Sequence, residues 1–322
     1  MLRERWSRHG TPLSPLSPLS PLAVLALLAV LIGGVTTSTA QAGGGEPVLP
    51  VDHAATAGAR AVSLGAVQVG PLPALPPVDS PALAGCDATV LQRLVASDPS
   101  SAQWIIVSTP TATSTNGALS IATVHADTWV CTLAATPAEV GRQGVRPLLQ
   151  RRSGDDTTPA GVFPLGTVAT PQGAISFFGN AIDPGVHGAY RRVQPGDCFG
   201  ANPNTAGYGH WRVDPTGCTG DDELLETNVQ AYEHAVLIGA NTEPMVSGDA
   251  AGEIPYAAAI FLHRTTYLSN GAPKPTSGCV SIAHAPLVAA IRTIDPALQP
   301  RFAIGTQADL LATPARALFP GR

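Results

Sequence analysis

The sequence predicts a mainly β fold gathered into one domain. Three observations lead there. Short apolar runs recur between residues 104 and 304. Glycine and proline, 33 and 31 of 322 residues, fall between those runs as turns. Only two stretches, near residues 90–95 and 286–294, carry helical spacing. Hydrophobic residues make up 44%, enough for a sizeable core. The net charge is −5, Lys274 is the single lysine and there is no basic tract, so a nucleic-acid partner held through phosphates is excluded.

In chain order, residues 1–42 read as an export signal. Arg3, Arg5 and Arg8 form a basic start, a PLS repeat follows, residues 22–35 are apolar, and Ala40-Gln41-Ala42 is a small-x-small cleavage site. An uncleaved anchor is the alternative, but the run is short of the roughly 20 residues that span a bilayer. No second run of spanning length follows, so a secreted, extracytoplasmic protein without a transmembrane domain is expected. Residues 43–85, rich in Ala, Pro, Gly and Val, read as an extended tether. Val62, Leu64, Val67 and Val69 alternate, which leaves a docked strand as the other reading. The folded domain is expected over 86–312, with 313–322 as a tail.

Within the domain, Val90, Leu91, Leu94 and Val95 have helical spacing. Strands are expected at 104–107, 119–124 and 129–133, with turns at Asn116-Gly117 and Ala126-Asp127. Further strands fit 162–168, 175–178, 190–193, 235–238, 257–262 and 279–282. Residues 286–294 fit a helix that opens on Pro286 and stops before Asp295-Pro296. Residues 302–304 would close the sheet.

Five cysteines are present: Cys86, Cys131, Cys198, Cys218 and Cys279. In an exported chain cysteines tend to pair, and an odd number leaves one over. Cys198 and Cys218 would close a loop rich in Gly, Asn and Pro. Cys86 would then pair with Cys131 and leave Cys279 alone, a preference among three pairings.

Cys279 follows Gly278 and enters an apolar strand, and His263 ends another. A glycine there lets a carbonyl approach the backbone, and the amides of Gly278 and Cys279 could hold an oxyanion. His263 could keep Cys279 as the reactive thiolate. The plain alternative is a buried small residue beside a strand-end histidine.

His263 to Ile282, with Thr276-Ser277-Gly278-Cys279, resembles the active-site signature of the L,D-transpeptidase catalytic-domain family. Upstream pieces resemble it too: the glycine-flanked turn Gly141-Arg142-Gln143-Gly144-Val145, the G-D-x-x-T-P-x-G-x-F motif from Gly154 to Phe163, Trp211 with Asp214-Pro215, and Tyr232 to Ile238 leading to Asn241. The resemblance spans roughly residues 100–310 and rests on the order and spacing of the pieces together. It implies a β-sandwich-like catalytic domain acting in cell-wall biogenesis and cell shape. Cys279 would attack the carbonyl of an L-configured centre in a peptidoglycan tetrapeptide stem and expel the terminal D-Ala. His263 would act as base and then as acid, and the acyl group would pass to a second stem as a 3→3 cross-link. The family needs no metal or organic cofactor, and carbapenems typically acylate its thiol. Ser277, Thr276, Ser281, Tyr232 and Arg264 become the expected substrate contacts. Three of these depart from the family pattern: Ser277 replaces a His, Ser281 an Arg or Asn, and Arg264 a Gly or Ser. An L,D-carboxypeptidase on the same fold and a weakly catalytic wall-binding module are the alternatives.

Other groups read more plainly. Asp155-Asp156 are expected as turn residues beside the cleft. Asp221, Asp222, Glu223 and Glu226 read as a solvated helix start. His284 is expected where the last helix begins. His210 sits between Cys198 and Cys218 at spacings that match no common zinc pattern.

Overall fold

The computed structural model describes residues 72–77, 79–218, 220, 222–243, 246–248, 250, 252 and 255–312. The expected export signal (1–42) and tail (313–322) lie outside these residues, as does most of the tether. Packed structure begins ahead of the expected boundary at 86. Leu72 and Leu75 rest on buried residues, and Pro81–Leu83 is a 3-10 turn whose Leu83 is buried. The reason is apolar: the end of this Pro-rich stretch supplies leucines that cover the face next to α1.

Helix α1, Ala88–Ser97, starts where the Asp87 carboxylate accepts the Val90 N–H at 2.9 Å. Its Val90, Leu91 and Leu94 are buried. Three long strands follow: β1 Gln103–Thr109, β2 Asn116–His125 and β3 Thr128–Glu139. Ala126 and Asp127, both at positive φ (46° and 59°), turn β2 into β3 with the twist a two-residue hairpin favours. Next come β4 Val145–Pro147, β5 Thr158–Pro164, β6 Val168–Thr170, β7 Gly173–Ile175, β8 Phe177–Gly179 and β9 Tyr190–Arg192. The run expected at 162–168 is therefore split, because Leu165 and Gly166 leave β5 to bond elsewhere. A small sheet holds β10 Asp197–Phe199, β11 Trp211–Val213 and β12 Glu223–Leu224. Then come β13 Ala235–Leu237, β14 Phe261–Arg264, β15 Val280–Ile282, α2 His284–Thr293, β16 Arg301–Thr306 and α3 Gln307–Ala312.

Eleven strands form one sheet in the order β4-β5-β16-β1-β2-β3-β15-β14-β13-β8-β9. The last strand in sequence, β16, lies inside it, parallel to β1 and antiparallel to β5. It was expected to close the sheet; a strand apolar on both faces is better buried in the middle. The sheet instead comes back on itself elsewhere. Leu165 bridges Ile238, the Gly166 N–H donates to Leu237 O at 2.9 Å, and the Gly239 N–H donates to Pro164 O at 2.9 Å. Ile105 and Val107 of β1, Phe163 of β5, Phe302 of β16 and Leu262 of β14 thus meet in one core, which α2 covers with Leu287 and Ile291. On the other face of β1, Trp104 and Ile106 pack with α1 and Trp129. Each such side chain contributes about 1.5–3 kcal/mol on leaving water.

Two disulfides are formed, Cys86–Cys131 and Cys198–Cys218, and Cys279 is a free thiol. The first ties the turn before α1 to β3. The second staples the loops around β10.

Candidate active site

Adjacent parallel strands carry the two expected reactive residues. Leu262 pairs with Val280 and His263 with Ser281. One residue back along this register, Phe261 lies opposite Cys279, and the Phe261 N–H points at Cys279 Sγ, 3.4 Å away. Alternation sorts the side chains. Leu262 and Val280 enter the main core, whereas Phe261 and Cys279 enter a second apolar cluster with Phe178, Phe199 and Tyr232. His263, two residues past Phe261, shares that second face. From strand spacing and rise, its Cα lies roughly 8 Å from that of Cys279.

The histidine is well oriented. His263 Nδ1 donates to its neighbour's carbonyl, Arg264 O, at 2.8 Å. This bond keeps the proton on Nδ1 and leaves the lone pair on Nε2, the form a base requires. The Tyr232 ring meets the imidazole edge-on, with centroids 5.6 Å apart. Burial pulls His263 down to about 4, so it is neutral at ordinary pH.

Cys279 is not the thiolate that the sequence led us to expect. Its Sγ–H donates to Ala259 O at 3.2 Å, and no hydrogen bond joins it to His263 among the described residues. Burial, then the charge of Glu223, pushes the thiol up to about 12; the Phe261 N–H and Arg151 oppose that rise. The resting pair is therefore thiol and neutral imidazole.

The turn before Cys279 is built by the segments that resemble the family. Gly278 adopts φ +147°, and a Cβ there would sit 3.1 Å from Thr157 O and 3.3 Å from Arg151 Nη2. A side chain there would be strained by the positive φ and tight against both atoms, which accounts for the glycine. The Thr276 hydroxyl accepts the Gly278 N–H at 3.1 Å and donates to Cys279 O at 2.6 Å. Thr276 thus shapes the turn and does not line the cavity that opens above Cys279, and the Gly278 amide, expected in an oxyanion hole, already donates to its hydroxyl. Arg142 of the glycine-flanked turn donates to Ser277 Oγ at 2.7 Å and pairs with Asp156 at 3.1 Å. Asp155 ties the other motif together by accepting from the Thr157 hydroxyl at 2.6 Å and the Arg152 N–H at 2.9 Å. Burial raises the Asp155 pKa, but Thr157, the two backbone amides and Arg151 outweigh it and hold the carboxyl below its usual range. Both aspartates are turn residues, as expected.

A cavity of about 350 Å³ opens above Cys279. Ser277, Gly278, Cys279, Ala259, Arg151 and Glu223 line it. His263 and Tyr232 are not among its lining residues. Two expected substrate contacts lie elsewhere. Ser281 is 1% exposed and takes the Thr265 hydroxyl at 3.3 Å. Arg264 turns its guanidinium to Glu233 at 2.5 Å, which also meets His284 at 3.1 Å. A strand inside the sheet hides Ser281, and a carboxylate on the neighbouring segment captures Arg264. Of the expected contacts, Ser277 alone lines the cavity.

Sequence reasoning passed over Arg151, and it misplaced Glu223. The acidic run is no helix start. Glu223 sits in β12, paired to β10, and Asp222 is buried against Arg212 at 2.5 Å; Asp221 lies outside the described residues. Burial raises the Glu223 pKa, against a hydrogen bond from Tyr232. A hollow of about 440 Å³ beside Asp87 and Gln307 is lined by no cysteine or histidine. His210 pairs with Glu243 at 2.7 Å. No family model, no curated protein and no solved structure matches the chain.

Proposed function

We propose that the chain is an exported cysteine acyltransferase of L,D-transpeptidase type that joins peptidoglycan stems. One observation carries this reading. Of five cysteines, the one left as a thiol lies on the floor of a cleft, one strand away from a histidine held as a base. The two disulfides fit an extracytoplasmic setting.

Burial sets the order of events, since it disfavours both the thiolate at Cys279 and the imidazolium at His263. Moving a proton from a thiol at about 12 to an imidazole at about 4 costs on the order of 11 kcal/mol as separated charges. A preformed ion pair is therefore sparse, and the proton leaves as the S–C bond forms. Cys279 Sγ gives up its bond to Ala259 O and attacks the stem carbonyl, while His263 Nε2 takes its proton. The Cys279 amide faces the oxyanion. On collapse the C–N bond breaks and the leaving D-Ala amine receives that proton from His263. A second stem's amine then attacks the thioester, loses its proton to His263 and regenerates the thiol.

The chain and its Cys279→Ala variant, each with disulfides intact, would be incubated with disaccharide-tetrapeptide and the products weighed by mass spectrometry. A dimer lacking one D-Ala, present only with Cys279, is the expected result. D-Ala loss without dimer would assign a carboxypeptidase. Identical spectra for the two proteins would remove the acyl-transfer reading.

A further inference from the structure

Among the described residues two arginines are buried, Arg151 and Arg191, and they are treated differently. Arg191 meets Asp197 at 2.9 and 2.5 Å through two nitrogens, donates to Gln172, and lies over the Trp211 ring. Its charge is answered on every side. Arg151 is more deeply buried, 2% exposed, yet among the described residues its one carboxylate contact is Asp155 at 3.5 Å. That carboxylate is already engaged by Thr157, the Arg152 amide and Arg146. Among the described residues, buried Arg151 Nε and Nη1 have no hydrogen-bond partner. Buried guanidinium donors left unpaired oppose folding and are retained where a ligand completes them.

Position says which ligand. Arg151 lines the same cavity as Cys279, and its Nη2 lies where a Cβ on Gly278 would reach it at 3.3 Å. An anion on Arg151 is thus held within a few bonds of the carbonyl that Cys279 would attack. In a peptide whose scissile carbonyl precedes its last residue, the terminal carboxylate stands three bonds from that carbonyl. A guanidinium matches a carboxylate in shape and charge.

We infer that Arg151 is a specificity-determining residue that grips the free α-carboxylate of the leaving residue, so that the site works at chain ends. The identity of the attacked carbonyl rests on the acyl-transfer reading; the anion grip is testable without turnover. The Cys279→Ala chain would be titrated with an N-acetylated tetrapeptide ending in D-Ala, as the free acid and as the C-terminal amide, and binding read by calorimetry. The acid should bind about 10- to 100-fold more tightly than the amide. Arg151→Gln should erase the difference and Arg151→Lys should keep part of it.

Equal binding of acid and amide, or no binding of either at about millimolar peptide, would overturn the inference. So would a preference that survives Arg151→Gln. If Arg151→Gln fails to fold, the acid–amide comparison with Arg151 intact still decides. An Arg151-dependent preference without any Cys279-dependent product would sink the acyl-transfer reading alone. Cys279-dependent product with no preference would sink the inference alone.

Discussion

The half of the sheet made by β1, β2, β3, β5 and β16 and the small sheet around β10 are held together by different forces. In the first, long strands bury apolar side chains on both faces, from Ile105 and Phe302 on one to Trp104 and Trp129 on the other. In the second, strands of two or three residues leave Val213 and Leu224 partly exposed. Beside the buried Phe199 and Trp211, it carries discrete ties: Cys198–Cys218 and the ion pairs Arg191–Asp197 and Arg212–Asp222. The cleft is lined by Cys279 and Arg151 together with Glu223, Ala201 and Pro203. A nucleophile profits from a rigid bed. A binding wall fixed by a few discrete ties can be released without melting that bed.

The largest effect should come from the first region. Phe302→Ala removes a fully buried ring and should cost about 3–5 kcal/mol in denaturant unfolding. A cost below about 1 kcal/mol would break the contrast, since burial would not then be holding that half.

The disulfides sharpen it. By loop length, 45 residues for Cys86–Cys131 and 20 for Cys198–Cys218, their removal should cost about 4 and about 3 kcal/mol. Activity should follow the opposite order. Paired Ser variants assayed where both are folded should lose more kcat/KM without Cys198–Cys218, because that staple holds the cleft wall. Equal losses would show that the small sheet positions nothing.

The third effect is smaller and depends on pH. Buried His263 titrates at about 4, against about 6.5 in an open chain, so the unfolded state binds the extra proton first as pH falls. Its contribution is complete above pH 6.5 and is lost towards pH 4, up to about 3 kcal/mol. Unfolding free energies of the parent and His263→Gln should converge over that range. Parallel curves would place the imidazole in water.

Much of this was legible in the sequence, for physical reasons. Residues 104–107 read as a strand because both faces are apolar, and the odd cysteine count left one thiol over, which the preferred pairing made Cys279. The hairpin turn at Ala126-Asp127 announced itself by composition. Arg151 did not, because it sits beside Arg152 in a polar turn and only long-range packing distinguishes the two: one is buried, the other donates to Leu149 O at the surface. Glu223 was hidden by its acidic neighbours, which look like a solvated run until β10 pairs with it. Ser281 misled because a position after a nucleophile is read as facing the substrate, whereas here the strand lies inside a sheet. The thiol's protonation state was illegible for a related reason: burial sets it, and sequence does not display burial of a polar atom.

The order of the large sheet has a consequence for encounters between molecules. A strand at a sheet's margin is a template on which another chain can add itself. Here the margins are β4 and β9, three residues each. Pro147 in β4 has no N–H to offer, and Arg192 in β9 puts an exposed charge at the other rim. Eleven strands thus present to their surroundings two margins too short and too guarded to recruit a stranger, and crowding such molecules together should not seed fibrils from this sheet.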